Sequence, residues 1–493
     1  MKNSFEKWQI ISIISRFGAQ IIGTLQWYLV ALILPAPSYG LYSIVSGIAK
    51  SFGSYQNLGL QSTSNREIAA AKDLSHAFKV FFVVATFRYF ISIPLAILLF
   101  VKSTAISSQF DSDHTRIVFA LKVYAFIILF QAIQGIFNTV LAGLKKFKIL
   151  FSYQFLFTIV SFIISIPLVY FFDFEGTITS ILITTIVSVI ILGYFAIKSF
   201  EGNFTLPTFA EYKFILKDIL SLSLSVYIVK VIFSNWENLG KAIIGTSFIL
   251  ALLGDKASLQ LVGVFGIALA YSAKLMMISD SITDVNMTIF TEKYLNDIKN
   301  FASDFLSNFS KIFITTTFVS ISVLFWNKEV FDFIFRNKYA GAEKYVPVLV
   351  IAYWAYSFIN IYKASIYVPA KRLLLLVVGF LLLLITSIVS FIGFRLLNIF
   401  DVTLSLSVAM MIGSLITYLF MTFDLRIKFK VWFINTQMLI TFSFSLFMCL
   451  IYFYNLQLNF KLLMFVLYFA IQMYLMLKWK VIKVPAKKSS SPV

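Results

Sequence analysis

The sequence predicts an all-α, polytopic membrane protein with about 14 transmembrane helices, arranged as two six-helix lobes plus two C-terminal helices. Three observations predict it. Hydrophobic residues fill 60% of the 493 positions and charged residues 13%, against about 45–50% and about 25% in ordinary soluble domains. Mean hydropathy is +0.89. Apolar runs of about 20 residues, the length a helix needs to cross the hydrocarbon core, follow one another with short connections. So many runs cannot all be buried in one globule, so they face lipid, and the lack of strict alternation excludes a barrel. No room remains for a soluble catalytic domain.

Taken in order, the spans fall near 10–34, 41–64, 77–101, 116–141, 149–172, 176–198, 219–245, 258–288, 310–326, 345–369, 373–395, 402–423, 434–454 and 458–477. This divides the chain into an N-terminal six-helix lobe (1–198), a cytoplasmic linker (199–218), a C-terminal six-helix lobe (219–423), two additional helices (424–477) and a basic tail (478–493). Lys2 and Lys7 precede an apolar run without a small-residue cleavage site, so the first run reads as a retained span.

Charge sets the orientation. With the N-terminus inside, cytoplasmic segments hold roughly 21 Lys and Arg, including Lys145, Lys146, Lys148, Arg426, Lys428 and Lys430, and exterior loops hold about 6. Both termini are therefore expected at the cytoplasmic face of the plasma (inner) membrane. The links at 35–40, 173–175 and 455–460 carry no Lys or Arg. The loop around 327–344 goes against the trend with Lys328, Arg336, Lys338 and Lys344, but Glu329, Asp332 and Glu343 offset most of that charge and it reads as a solvated loop. The formal net charge of +19 would suggest nucleic acid in a soluble protein. Here it belongs to the membrane face, and the partner is anionic lipid.

Enzyme chemistry is missing from the pattern. The single Cys449 excludes a disulfide within the chain and a Cys-rich metal site, and His76 and His114 are the only histidines. There is no G-x-x-x-x-G-K-[ST] or H-E-x-x-H motif, and Gly240-Lys241 lacks the following Ser or Thr. Asp111-Ser112-Asp113 has the spacing of a glycosyltransferase metal motif, but it falls in an exterior loop and reads as a solvated turn. The chain is thus expected to be a non-enzyme without cofactor or metal.

An internal repeat is visible. Gly40-Leu41-Tyr42-Ser43-Ile44 opens the second span, and Gly263-Val264-Phe265-Gly266-Ile267 lies early in the eighth; each is followed by a central lysine, Lys50 or Lys274. The match falls at equivalent places of two six-span halves, as parallel repeats related by an axis along the membrane normal require.

The informative residues are basic groups at lipid depth. Lys50, Arg88, Lys230 and Lys274 sit near the middles of their spans, with Arg16, Lys241 and Lys363 nearer the ends. At about 2.5–3.5 kcal/mol each, the four central ones would cost about 12 kcal/mol facing lipid, so they line a hydrated cavity or are paired. Helical spacing supports a cavity: Ser43, Gly47, Lys50, Ser54, Asn57 and Gln61 draw one stripe, and Ser223, Tyr227, Lys230, Ser234, Glu237 and Lys241 another. Tyr353, Tyr356, Asn360, Lys363 and Tyr367 mark the tenth span, and Gln131, Gln134 and Asn138 the fourth, where hydrogen bonding between helices is an equal reading. Embedded acids are few: Glu237, which can pair with Lys241 one turn on, Asp280 and Asp284, the three candidates for a coupling role. Cation in excess of carboxylate implies an anionic ligand, and the adjoining amides and phenols suit a polyhydroxylated one. Phosphate plus sugar is the simplest combination.

The segment Leu34-Pro35-Ala36-Pro37-Ser38-Tyr39-Gly40-Leu41-Tyr42-Ser43, followed by Asn57-Leu58-Gly59-Leu60 and Arg66-Glu67-Ile68-Ala69, resembles the polysaccharide transporters of the multidrug/oligosaccharidyl-lipid/polysaccharide flippase superfamily, and most of all their O-antigen flippase branch. The resemblance implies two six-span lobes about a central cavity, moving a polyprenyl-diphosphate-linked glycan outward, with polysaccharide polymerase and glycosyltransferases as further partners. Flippases of the related lipid II type line the cavity with basic residues from the first, second and eighth spans, where Arg16, Lys50 and Lys274 lie here. Drug-exporting relatives place an acidic cation site in the N-terminal half, and spans one to six here embed no Asp or Glu. The expected function is therefore a lipid-linked oligosaccharide flippase, with Lys50, Lys230 and Lys274 on the diphosphate and Asn57, Gln131, Asn138, Tyr353 and Asn360 on the sugars. A drug/cation antiporter of the same fold and a membrane polysaccharide polymerase are the alternatives.

Overall fold

The computed structural model describes residues 2–110, 113–144, 146–221, 223, 227, 258–276, 298–335, 338–367, 384, 407–416, 419, 436–453 and 458–479, with side chains from Gly18 in the first helix, from Phe309 in the eighth and up to Ser357 in the tenth. All regular structure among them is helical, as the sequence predicts. The helices are α1 (Lys2–Ile33), α2 (Ala36–Asn57), α3 (Leu60–Ala69), α4 (Leu74–Ser107), α5 (His114–Gly143), α6 (Phe147–Lys198), α7 (Ser258–Ala273), α8 (Ile298–Phe325), α9 (Asn327–Phe335), α10 (Val346–Tyr367), α11 (Thr436–Phe453) and α12 (Leu458–Lys478). Among the described residues, four helices are long and apolar enough to cross a membrane, and the pair Phe309–Phe325 and Asn327–Phe333, bent by 54°, makes a fifth. Their outer faces are apolar: Phe90, Ile97 and Val101 on α4 and Leu462, Leu463 and Val466 on α12 are exposed, as lipid contact requires.

Local chemistry explains the helix boundaries. Pro35 stands at the start of α2. Asp73 caps α4 by accepting from His76 N at 2.7 Å, and Asp113 caps α5 by accepting from Arg116 N. α2 stops early, because Leu58 (φ 40) and Gly59 (φ 71) both adopt left-handed backbone. The span expected at 41–64 is therefore broken in two at the Asn57-Leu58-Gly59-Leu60 motif. A Cβ on Gly59 would stand 2.4 Å from the Ser223 carbonyl oxygen, so only glycine fits there.

α6 is two spans in one run of helix. Asp173 breaks it with φ 50 and ψ −124. The hydroxyls of Tyr153 and Ser188 are in hydrogen-bond contact although 35 residues apart, about 50 Å along an unbroken helix, so the two limbs fold back on each other. The link expected at 173–175 is this hairpin turn.

The chain divides into two compact units. The first comprises 1–268, 338–342 and 370–410. Its apolar core joins α4 (Ala77, Val80, Val84), α5 (Ile136, Val140), the second limb of α6 (Leu192, Ala196) and Ile219. Within this unit α2 and α7 meet without side chains between them. A Cβ on Gly40 would lie 1.9 Å from the carbonyl oxygen of Leu259, four residues before Gly263; one on Gly263 would lie 2.7 Å from that of Ala36, four residues before Gly40. The contact is reciprocal, and Gly266 against Ser43 repeats it one turn on in parallel register. Small residues allow such an approach of membrane helices, and the symmetry is that of the repeat read from the sequence.

The carboxyl end of α1 is closed by residues from far along the chain. Lys338 Nζ donates to the carbonyls of Ala31 (3.2 Å) and Leu32 (2.7 Å), and Tyr339 OH donates to Ala31 O (2.9 Å). These last-turn carbonyls have no partner within the helix, and a cation suits the negative end of its dipole. Burial lowers the affinity of Lys338 for its proton, and Asp173 offsets part of that. The Tyr339 ring packs edge-on against Tyr39 at 5.6 Å, whose hydroxyl accepts from Trp27 Nε1. Beside them Arg116 binds Glu175 through two nitrogens (2.7 and 2.9 Å), holding that carboxyl below the usual range, and Ser38 Oγ donates to Asp173.

The second unit comprises 269–337, 343–369 and 411–493. α8 packs on α12 through Phe318 against Tyr468 and Phe325 against Phe465. Glu329 pairs with Lys461, and Asn327 Nδ2 donates to Glu343 O at 2.9 Å. The segment 327–344, expected as a solvated loop, instead carries α9 and a short 3₁₀ turn, and two of its charges have distant partners, Glu329 with Lys461 and Lys338 with the α1 carbonyls. The linker expected at 199–218 is likewise half helix. Thr208 and Glu211 form a capping box that starts a helix over 209–221, and Lys79 binds Glu211 at 2.6 Å.

Lys338→Met strips the Leu32 carbonyl of its donor and leaves Ala31 O with Tyr339 alone, and should cost about 1–3 kcal/mol, whereas Tyr339→Phe removes one bond and should cost about 0.5–1.5 kcal/mol; thermal melts in detergent give both. The Lys79 and Thr208 bonds hold the Glu211 carboxyl down to about 2 from 4.5. A depressed carboxyl stabilises the fold above its unfolded value, and that contribution fades as pH falls from about 4.5 toward about 2. Melting curves between pH 5 and 3 should show this slope in the wild type and a shallower one in Glu211→Gln.

Candidate functional site

The polar interior of the first unit lies where α2, α4 and α5 converge. None of these helices contains an Asp or Glu. Arg88, in the middle of α4, is 5% exposed, and its Nε has no hydrogen-bond partner among the described residues. No described carboxylate pairs with it. The guanidinium rests on Gly135 of α5, where a Cβ would stand 2.6 Å from Nη1. One turn along α4, Ser92 Oγ lies 2.8 Å from Gln56 Oε1 of α2 and 2.7 Å from the Arg88 carbonyl, with a single hydrogen for the two. Gln131 Oε1 and Gln56 Nε2 both face Gly53 of α2. Asn57 Oδ1 and Asn138 Oδ1 are also buried without a partner among the described residues. Three helices thus bring together amides, a hydroxyl and a cation with no negative charge.

Lys50 sits on the same helix. It is exposed, although Ser43 to Ala49 before it are buried, and it has no carboxylate partner among the described residues. Gln134 is placed differently: its amide donates to Ser188, which also meets Tyr153, so it ties α5 to both limbs of α6. Gln26 ties α1 to α6 through Ser161 at 3.2 Å.

The second unit holds Lys274 and Tyr353. Lys274 is half-buried at the turn that follows the last residue of α7, and its backbone N donates to Tyr271 O. The eighth span, expected at 258–288, thus has an interruption beside its lysine. Tyr353 of α10 is fully buried. Lys230, Glu237, Lys241, Asp280 and Asp284 lie outside the described residues, as do the side chains of Arg16, Asn360 and Lys363. No group of three or more His, Cys, Asp or Glu able to hold a metal occurs among the described residues.

Sequence reasoning missed Gln56, Ser92 and Gly135. Arg88 and Ser92 are polar residues four apart in an apolar helix, a spacing that places both on one face and gives the signal. Gln56 was overlooked because its neighbour Asn57 completed the stripe.

No protein-family model matches the chain, and no curated protein matches it. Its fold does match solved structures. The chain is similar to the lipid II flippase MurJ in an inward closed conformation, with TM-score 0.64 and 16% identity over 96% of this chain and 100% of that one. It is similar to a multidrug-resistance MATE family transporter of the MOP superfamily in an inward-facing conformation, with TM-score 0.63 and 14% identity over 86% and 99%. A MOP superfamily transporter from Pyrococcus furiosus, described as having a binding pocket of reverse polarity that suggests a different function, matches with TM-score 0.60 and 15% identity over 86% and 97%. The chain shares the fold of these three structures. Within it, the described polar centre of the first unit is cationic.

Gly135→Leu must expel the guanidinium of Arg88 and should destabilise the protein by about 1–3 kcal/mol. Arg88→Ala in the same chain should restore at least about 1 kcal/mol of that loss, because the two changes share one space. A double-mutant cycle of melting temperatures reads the coupling.

Proposed function

We propose that this protein is a flippase that moves a polyprenyl-diphosphate-linked oligosaccharide from the cytoplasmic to the outer leaflet by alternating access, for surface polysaccharide synthesis. One observation carries the reading: Lys50 and Arg88 lie on helices without a single acid, and neither has a carboxylate partner among the described residues. A cavity with that balance favours phosphate. Lys50, Lys230 and Lys274 hold the diphosphate, with Lys50 and Lys274 at equivalent places of the two repeats; Arg16, Arg88, Lys241 and Lys363 add positive potential. Asn57, Gln131, Asn138, Tyr353 and Asn360 meet hydroxyls, two of them with amide oxygens that are otherwise unbonded. The prenyl tail stays in lipid. Both termini face the cytoplasm, which puts the Lys338 and Tyr339 strap outside, and a polymerase and glycosyltransferases work on either side of the step.

The lipid II flippase supports this reading by accounting for 96% of the chain, against 86–87% for the multidrug transporters. Those transporters favour the second reading, a drug/cation antiporter. A lipophilic cation, however, is repelled by unpaired Lys and Arg and needs carboxylate, which α2, α4 and α5 do not offer.

Lys50→Ala and Lys274→Ala should each abolish surface glycan delivery at normal protein levels, and full delivery by both would overturn the assignment. In vesicles carrying the purified protein, a fluorescent polyprenyl-diphosphate oligosaccharide should change leaflets. Uptake of an organic cation against its gradient instead would establish the antiporter.

A further inference from the structure

The segment that follows α6 is polar in sequence, yet its largest apolar side chains are uncovered. Phe209 is 85% exposed and Phe214 74%, and Phe204 and Leu206 before them are more than half exposed. The helix over 209–221 does bury one face: Ile215 and Ile219 lie in the core beside α4, with Tyr212, Leu216 and Leu220 packed against it. On the other face Phe209, Lys213 and Lys217 recur at steps of four, and Ala210 and Phe214 form the next row, all of them exposed. Contacts with α4 fix the depth of this face. Ser75 meets Thr205, Phe78 packs edge-on against Phe204 at 5.3 Å, Lys79 binds Glu211, and the hydroxyls of Thr86 and Tyr212 lie 3.1 Å apart. These partners span about 16 Å of α4. The start of its apolar run falls among them, since His76 and Lys79 lie in the first turns and Arg88 is the only charge from Val80 to Val101. The exposed rings therefore stand where hydrocarbon begins. An open groove of about 290 Å³, walled by His76, Ala210, Glu211, Phe214 and Ile215, leaves Phe214 uncovered on its inner side as well. Charge points the same way: Glu211 is spent on Lys79, whereas Lys213 and Lys217 have no carboxylate partner among the described residues, and Asp218 is the single acid of the outer face.

We propose that residues 204–217 form a lipid-docking surface, with Phe204, Leu206, Phe209 and Phe214 in the acyl layer just beneath the headgroups and Lys213 and Lys217 on the phosphates of anionic phospholipids. An amphipathic helix of phenyl rings and lysines settles in the interfacial plane, and the lysine stems let the ammonium groups reach back to the headgroups. α4, which carries the contact, runs on into the lipid-facing stretch of Phe90, Ile97 and Val101, so the surface continues one already exposed to lipid. A soluble protein partner would need these rings out in water, and the depth set by α4 denies that. No residue of this surface is assigned to the glycan, and its failure would leave the flippase reading standing on Lys50 and Lys274.

The test uses the full chain with Cys449→Ser, reconstituted in phosphatidylcholine vesicles and carrying a nitrobenzoxadiazole label on Phe209→Cys or, as a control in the exposed turn before α4, on Lys72→Cys. Phosphatidylcholine spin-labelled near the headgroup end of its acyl chain should quench the label at 209 strongly and leave the one at 72 bright. A label at 209 that stays as bright as the control overturns the proposal, and Phe214→Cys repeats the reading should the first variant fold poorly. Phosphatidylglycerol with the same spin label should quench at 209 at least about fivefold more effectively than phosphatidylcholine, the effect of one lysine near an anionic surface. That preference should vanish in the chain that also carries Lys213→Gln and Lys217→Gln. Equal quenching by both lipids with the lysines in place overturns the anionic assignment.

Discussion

Hydrocarbon offers no hydrogen bonds, and the rest of this structure depends on that. Every backbone group at membrane depth must find its partner inside the chain, which leaves the helix as the only element the described residues use. The same constraint governs charge. A cation within the bundle needs water, an acid or an anion, and the acids here are kept at helix ends: Asp73 and Asp113 as caps, Asp173 and Glu175 at the α6 turn, Glu211 in a capping box. Among the described residues, the place where α2, α4 and α5 converge is left with a charge of one sign.

The fold was largely legible because apolar length is a blunt signal. The spans expected at 116–141 and 458–477 correspond to α5 at His114–Gly143 and α12 at Leu458–Lys478. What hydropathy could not see were the breaks. Leu58 is itself apolar and gives no hint of a break, yet its left-handed backbone, shared with Gly59, ends α2. Thr208 and Glu211 lie in a stretch that averages polar, so the linker hid a helix whose start was written in the capping-box spacing. The 327–344 segment misled for another reason: its charges were counted against one another, whereas Glu329 and Lys338 pair with distant partners, Lys461 and the α1 carbonyls.

The candidate site was legible by residue type and not by environment. Hydropathy alone ranks Lys50 and Arg88 together as basic groups at mid-span, yet one is exposed and the other sealed. The difference comes from what faces each of them across helices, and a glycine such as Gly135 announces nothing about the group it makes room for. Gln131 and Gln134 were one stripe in the sequence. In the fold they part: Gln134 ties helices together through Ser188, and Gln131 turns its amide oxygen toward Gly53 of α2.

The meeting of Gly40 with Gly263 has a mechanical consequence. A joint made of bare backbone contains no rotamers, so a change in crossing angle there disturbs dispersion contacts alone and leaves no side chain to be reset. Such a point behaves as a bearing. Helices hung on it can roll with little friction, while any methyl group added to either partner would jam the pair.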